Sequence, residues 1–456
     1  MTTTADSAAA DSVIAAALEL CSPTKKEAAR ITRVAEEAKR LVQKKAWKEV
    51  AGVVFGGSFA KGTWLRGDAD IDIFVKVKPD VDEKRFEELG VRIGRQALKK
   101  YGPHLRYSDH PYVEATVRGI RVNVVPCYDV QKGQWRSAAD RSPFHTQYVT
   151  ETFDDYKKGQ VRLLKKFLKS AGIYGAEIST GGFSGYVCEV LVAKYGSLQN
   201  VLAAAAEFVQ EQVIAVGNYD ADVVKGFASP LVIIDPVDPR RNLGTAVSPE
   251  SAGRFSLAAR AFLRRPSGRF FAGQKARRVE KKLYPHILVV EFSHRRRSPD
   301  TIWGQVKRSA GSLARQLELA GFTVFRTACA TDELESGAFA FLLESLTLAP
   351  YTLRKGPEIS RRKETDNFIS KASRPLAMWA DRDMRVSAIA ARKETDAARF
   401  LQSLLCDRMM DGSGVARDMI IKGRIKIYSA AGRRMKSVVR DAVDELASTE
   451  RLIFGV

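Results

Sequence analysis

Histidine and cysteine are scarce, with five of each in 456 residues. The cysteines stand at Cys21, Cys127, Cys188, Cys329 and Cys406 and form no CxxC pair. Their wide spacing fits neither a zinc knuckle nor a disulfide framework. A reducing, cytoplasmic setting is therefore expected. No apolar run reaches the length of a bilayer span, so no membrane-spanning segment, and no membrane partner by insertion, is expected. The first residues, MTTTADSAAADSV, carry no basic region and no arginine, unlike a secretory or transit peptide. Internal repeats and low-complexity tracts are missing as well. Acidic residues are in deficit: 53 Asp plus Glu face 74 Lys plus Arg, a net charge of +21. The excess is spread along the chain, which favours a folded surface that meets a polyanion over a basic tail. Nucleic acid is the first candidate for that polyanion and a membrane surface the second.

Hydrophobic residues make up 45% of the chain, enough for packed cores. The length suggests roughly two to four domains. Residues 11–49 read as helices, with Ser22 and Pro23 as a cap and first-turn pair. VAGVVF (50–55) reads as a buried strand, and a helix runs from Glu83 to about Tyr101. Residues 112–126 read as a hairpin turning at Arg118-Gly119. Residues 150–216 look mostly helical, and LVIIDPVDPRRN is a strand that stops at prolines near a boundary at 230–245. Beyond it, HILVVEFSH, a long helix, TVFRTACAT and AFAFLLESLTL give a β-α-β-β order, expected of an α+β RNA-binding-like module. The C-terminal stretch reads as helix, the strand RIKIYS, then helix.

The densest signal is GGSFAKGTWLRGDADIDIFVKV, residues 56–77. In its second half Ile71, Ile73, Val75 and Val77 alternate with Asp70, Asp72 and Phe74. A strand so patterned buries the aliphatic side and presents both carboxylates on the other, roughly 6.5–7 Å apart. Carboxylates this close repel unless a cation lies between them, and oxygen donors suit Mg²⁺. Upstream, Gly57 and Ser58 form a tight turn into a short helix. Its amides and hydroxyl can hold a triphosphate, with Lys61 to neutralise phosphate charge. Nucleoside triphosphate plus metal points to phosphoryl or nucleotidyl transfer.

GS followed by DxD resembles the nucleotidyltransferase superfamily of polymerase-beta type. The wider text is more specific. GSFAKGTWLRGDADIDIF, HPYVEATVRGIRVNVVPCY, SPFH, VRLLKKFLKSAGIYGAE, GFSGYVCEVL, IDPVDPRRN and GPEISRRKE together resemble the archaeal, class I CCA-adding enzymes. That resemblance implies a multidomain α+β fold: a nucleotidyltransferase head (1–140), a helical neck (141–230), a body (231–300 and 395–456) and a tRNA-binding tail (301–394). It implies template-independent addition of C, C and A to a tRNA 3′ end from CTP and ATP, with Mg²⁺. The tRNA acceptor and T-stem would lie along body and tail; a homodimer is left open. Asp70, Asp72 and the residue at 123 would form the catalytic metal site. Gly57, Ser58, Lys61, Ser142, His145, Lys165 and Tyr174 would hold triphosphate and sugar, and Arg241, beside Arg240, would help select the base. Arginine runs at 276–278 and 294–297 would meet tRNA phosphates. With so few histidines and no His-Asp doublet, an added phosphohydrolase half is not expected. Rival readings are a poly(A) polymerase, an oligonucleotide synthase, or a catalytically silent tRNA-binding homologue.

The chain departs from the family at one point. Where the resemblance implies a third acid, this sequence reads RVNVVPCY, with Asn123. An amide lends a metal an oxygen but no charge, and it is not a base. An engineered Asp→Asn change, a compensating neighbour and a lost activity are all open. If the hairpin turns at 118–119, Glu114 pairs with Asn123 on one face and can supply the missing charge.

Overall fold

The computed structural model describes residues 4–107, 110–227, 229–273, 278–372, 375–407, 414–416 and 419–454. They fall into two compact units, Met1–Arg277 with Glu450–Val456, and Arg278–Thr449.

The first unit opens with helices α1 (Thr4–Cys21) and α2 (Lys25–Gln43). Thr24, rather than Ser22, caps α2 by accepting from the Glu27 amide. There follow β1 (Val50–Gly56), α3 (Gly57–Lys61), β2 (Asp70–Val77), α4 (Glu83–Ala97), β3 (His104–Tyr107), β4 (Pro111–Val117) and β5 (Ile120–Tyr128). The strands form one mixed sheet in the order β1-β2-β5-β4-β3, with only β2 and β5 parallel. Alternation along β2 does what the sequence predicts: Ile71, Ile73, Val75 and Val77 are fully buried. They pack with Ile31, Ala35 and Val42 of α2 and Phe86, Leu89 and Ile93 of α4. Burial of side chains this size contributes roughly 1.5–3 kcal/mol each. That core leaves the opposite face of the sheet to carry polar groups.

Helices α5 (Arg141–Thr152), α6 (Asp155–Ser170), α7 (Gly185–Tyr195) and α8 (Leu198–Ala206) come next. They are followed by β6 (Gln212–Ile214), α9 (Ala221–Lys225), β7 (Leu231–Ile233) and α10 (Pro249–Arg264). Asp154, Ser184, Ser197 and Ser248 cap α6, α7, α8 and α10 by the expected side-chain bonds. Phe167 of α6 sits among Phe255, Phe262, Phe270 and Phe271 with ring centroids 5.6–6.3 Å apart. This aromatic centre fixes α6 and α10 as one body.

The second unit begins at β8 (Arg278–Val279) and holds β9 (Ile287–His294), α11 (Pro299–Ala320), β10 (Val324–Thr331) and β11 (Ser336–Leu343). Then come β12 (Tyr351–Glu358), α12 (Arg362–Lys371), β13 (Ala377–Ala380), β14 (Arg385–Ala391), α13 (Ala397–Gln402), β15 (Ile420–Ser429), α14 (Ser437–Leu446) and β16 (Ser448–Thr449). The short α15 (Arg451–Phe454) returns to the first unit. The expected β-α-β-β order stands, within a four-stranded sheet β10-β11-β9-β15. One face of that sheet packs α11 and α13, the other α14. A second sheet, β12-β14-β13, was not apparent from the sequence. Its strands YTLRKGPE and AMWA carry charge, a Gly-Pro pair or too little length to read as strands.

His294 of the HRRR run is not solvated surface. It is buried, accepts from the Thr331 hydroxyl at 2.8 Å and donates to the Arg295 carbonyl at 3.0 Å. In the run at 276–278, Ala276 and Arg277 lie outside the described residues. Among the described residues no helix is long and apolar enough to cross a membrane.

Candidate active site

The polar face of the first sheet is ordered by register. Asp72 on β2 lies opposite Gly56 on β1 and Asn123 on β5; Asn123 lies opposite Glu114 on β4, and Glu114 opposite His104 on β3. One row of residues therefore crosses all five strands, with Gly56 as its side-chain-free end. The hairpin turns at Arg118 and Gly119, both at positive φ, which sets the 114–123 pairing the sequence predicts. Along the row, the Asn123 amide donates to Asp72 Oδ1 at 2.8 Å. Glu114 does not reach towards Asn123: its carboxylate takes His104 Nε2 at 2.9 Å and Arg106 at 3.3 Å. One step away, Arg121 binds both oxygens of Asp70, each at 2.7 Å.

Asp72 is held above the usual carboxylate range, first by burial and then by Asp70, against the Asn123 bond and the charges of Lys61 and Arg121. Gly57 opens α3 at φ 65°, and a Cβ there would stand 1.8 Å from Asp72 Oδ2. Only glycine leaves that carboxylate its room. Asn123 Oδ1 is buried and has no hydrogen-bond partner among the described residues. Two carboxylates and an unclaimed amide oxygen on one face form a donor set that fits a hard divalent cation. Ser58 follows Gly57 in the first turn of α3 and is half-buried.

Behind this face lies a buried charged cluster. Lys61, at the end of α3, donates to Glu189 of α7 at 2.7 Å and lies 4.7 Å from the centre of the Tyr186 ring. Lys165 of α6 donates to the Thr63 carbonyl and hydroxyl at 3.1 Å and lies 3.5 Å from Glu189. Thr63 Oγ1 donates to Glu189 at 2.6 Å. Burial pushes the Lys165 amine down, against the pull of Glu189. The same burial would raise Glu189, yet Lys61, Lys165 and Thr63 hold its carboxyl below the usual range. Both lysines expected at the triphosphate are thus enclosed and engaged by one carboxylate. Of the two, Lys61 is the one whose charge acts on Asp72. The Tyr174 phenol and the Lys165 amine meet over Gly185, where a Cβ would stand 3.1 Å from one and 3.4 Å from the other.

A third group gathers on Asp235, which is fully buried just after β7. It accepts from His145 Nε2 at 2.8 Å and from Tyr186 at 3.1 Å, and Arg241 lies 3.6 Å away. His145 stacks on Tyr186 with centroids 3.8 Å apart. Burial pushes the His145 imidazole down, against the pull of Asp235. Arg241 opens onto a cleft of about 920 Å³ that Trp135, Arg141, Asp238 and Arg240 also line. Arg141 is paired to Asp238 at 2.7 Å and lies 5.3 Å from the centre of the Trp135 ring. Ser142 sits in the first turn of α5, its carbonyl bonded to Thr146.

The structure thus gathers Gly57, Asp70, Asp72 and Asn123 on the sheet face, Lys61, Lys165 and Tyr174 behind it, and His145 with Arg241 around Asp235. Sequence reasoning missed Glu189, Asp235 and Tyr186. Two signals were there: Glu189 is the sole acid in the apolar run GYVCEVLVAKY, and Asp235 ends the apolar run LVIID. A charge in such a run needs a partner when buried.

Fold and site together define a nucleotidyltransferase. Family models agree along the chain: a nucleotidyltransferase domain at residues 31–148, the second domain of tRNA nucleotidyltransferase at 159–272, and the C-terminal domain of CCA-adding enzymes at 285–428. A CCA-adding enzyme of Saccharolobus shibatae is 37% identical over 83% of this chain and 89% of its own. One from Pyrobaculum aerophilum is 37% identical over 87% and 93%. Among solved structures, a cytoplasmic RNA terminal U-transferase aligns over 59% of this chain and 99% of its own, at 15% identity and a TM-score of 0.46. This chain belongs to the CCA-adding enzyme family.

Proposed function

We propose that this protein adds C, C and A to the 3′ end of tRNA from CTP and ATP, by Mg²⁺-dependent nucleotidyl transfer on the face that carries Asp70, Asp72 and Asn123. The observation that carries the reading is the sheet face itself: the half-buried Asp72 carboxylate beside the unclaimed Asn123 oxygen, with Gly57 at the start of α3 leaving that carboxylate its room. When bound, Mg²⁺ would favour deprotonation of the attacking hydroxyl and stabilise the charge that develops on the leaving oxygen. Asp70, Asp72 and Asn123 would hold it. The amides of α3 and the Ser58 hydroxyl would take the triphosphate, although so short a helix offers them little dipole. Lys61 and Lys165 would serve it from behind, held in place by Glu189. Ser142, His145 and Tyr174 set the sugar, and Arg241, held towards the cleft by Asp235, reads the base. Head (1–140), neck (141–230), body (231–300 and 395–456) and tail (301–394) are the proposed division, with acceptor and T-stem along body and tail. A cytoplasmic setting completes the proposal, with a homodimer left open.

The test is a tRNA ending at its discriminator base, given CTP, ATP and Mg²⁺. Three residues added, then arrest, are expected. Continued growth on ATP alone would point to a poly(A) polymerase. Tight tRNA binding without incorporation, even with Mn²⁺, would point to a silent homologue.

A second reading concerns Glu114, and its pairing with Asn123 favours it. Its carboxylate stands one strand from the proposed metal site but is turned to His104 and Arg106, so it would make up for the charge that Asn123 lacks only at a distance, through its field. Asn123→Asp is expected to speed incorporation by roughly 10²-fold if a base is missing. On the compensation reading, Glu114→Gln slows it comparably. No effect of Glu114→Gln beside a large gain from Asn123→Asp would exclude compensation.

A further inference from the structure

We propose that Arg121 is a resident counter-ion of the metal site: it holds Asp70 when no divalent cation is bound and yields it when one arrives. This rests on reading Asp70 and Asp72 as metal ligands. Three observations carry it. Arg121 and Asp70 are direct partners across the parallel pair β2–β5, one step from the Asp72–Asn123 pair on the same face. The guanidinium fork takes both carboxylate oxygens of Asp70, each at 2.7 Å. A cation that uses Asp70 therefore competes with the arginine for the same two oxygens and the same negative charge. The pair is also half-open to water, with the side chains 50% and 37% exposed, so water can take up the arginine's bonds when the two part.

Charge makes this consequential in this chain. The four cross-strand positions 70, 72, 121 and 123 carry two carboxylates, one guanidinium and one neutral amide. With an amide at 123, Arg121 cancels half the negative charge available to a cation. Its removal therefore tightens metal binding. A residue that merely braced the sheet would have the opposite effect or none.

The experiment measures Mn²⁺ binding alone, by calorimetry or electron paramagnetic resonance, on the full chain and on Arg121→Gln, Arg121→Lys and Asp70→Asn. Arg121→Gln is expected to bind Mn²⁺ roughly 2- to 5-fold more tightly. Arg121→Lys should fall between, since lysine keeps the charge and loses the fork. The advantage should shrink as salt rises. Equal or weaker binding by Arg121→Gln, with Mn²⁺ binding still dependent on Asp70, overturns the counter-ion role. If Asp70→Asn leaves Mn²⁺ binding unchanged, the metal reading of the site fails instead. Melting curves establish that each variant is folded, and should Arg121→Gln not fold, Arg121→Lys carries the comparison.

Discussion

Two clusters that set carboxylates against cationic side chains lie in the same unit. On the sheet face, Asp70 and Arg121 are half-exposed, and Asn123 keeps an unclaimed oxygen. Around Glu189, Lys61 and Lys165 are enclosed, and each ammonium has a carboxylate oxygen within 3.5 Å. The first cluster has room to exchange partners; the second has none. Exposed pairs add little to stability, whereas a buried charge stripped of its partner is strongly unfavourable. The difference teaches that carrying a charge does not fix a role: water access decides whether a carboxylate reacts or braces.

The sharpest way to break this comparison is to remove charge from the open cluster. Asp72→Asn is expected to cut nucleotide incorporation by roughly 10³-fold while leaving the unfolding midpoint near wild type, because its work is electrostatic and local. A large loss of stability would show that Asp72 is a brace after all. Steady-state incorporation and urea unfolding measure the two sides.

The braced cluster should answer the other way. Glu189→Gln leaves two buried ammonium groups without an anion, and is expected to destabilise the fold by about 3–5 kcal/mol in urea unfolding. If stability is unchanged while KM for the nucleotide rises, Glu189 belongs with the ligand-facing groups.

The smallest effect is a dependence on pH. The His145 imidazole is lowered by burial. In the unfolded chain it titrates near its ordinary value of about 6.5. Its contribution is therefore complete above that pH and declines as the pH falls towards the lower folded value. The melting temperature of wild type should fall on acidification below about pH 6.5 more steeply than that of His145→Gln. Parallel curves would mean that Asp235 holds the proton count constant.

Much of the head was legible because its signals are short-range. Alternation along β2, the Arg118-Gly119 turn and the glycine before Ser58 each act over a few residues, and the pairing of Glu114 with Asn123 followed from the turn alone. Glu189 and Asp235 were not legible as site residues. Their partners come from α3, α6 and α5, between 24 and 128 residues away. The β12-β14-β13 sheet escaped for a different reason. Leu353 and Trp379 stand 52% and 41% exposed on its strands, so its pattern lacks a clear inside and outside.

The two-residue connection between β4 and β5 acts as an allocator of chemistry. Lengthening it by a single residue would slide one strand against the other, swing Glu114 into the aliphatic core and bring a valine or an alanine up beside Asn123. A loop that touches no substrate thereby dictates which electrical neighbour the reacting groups receive.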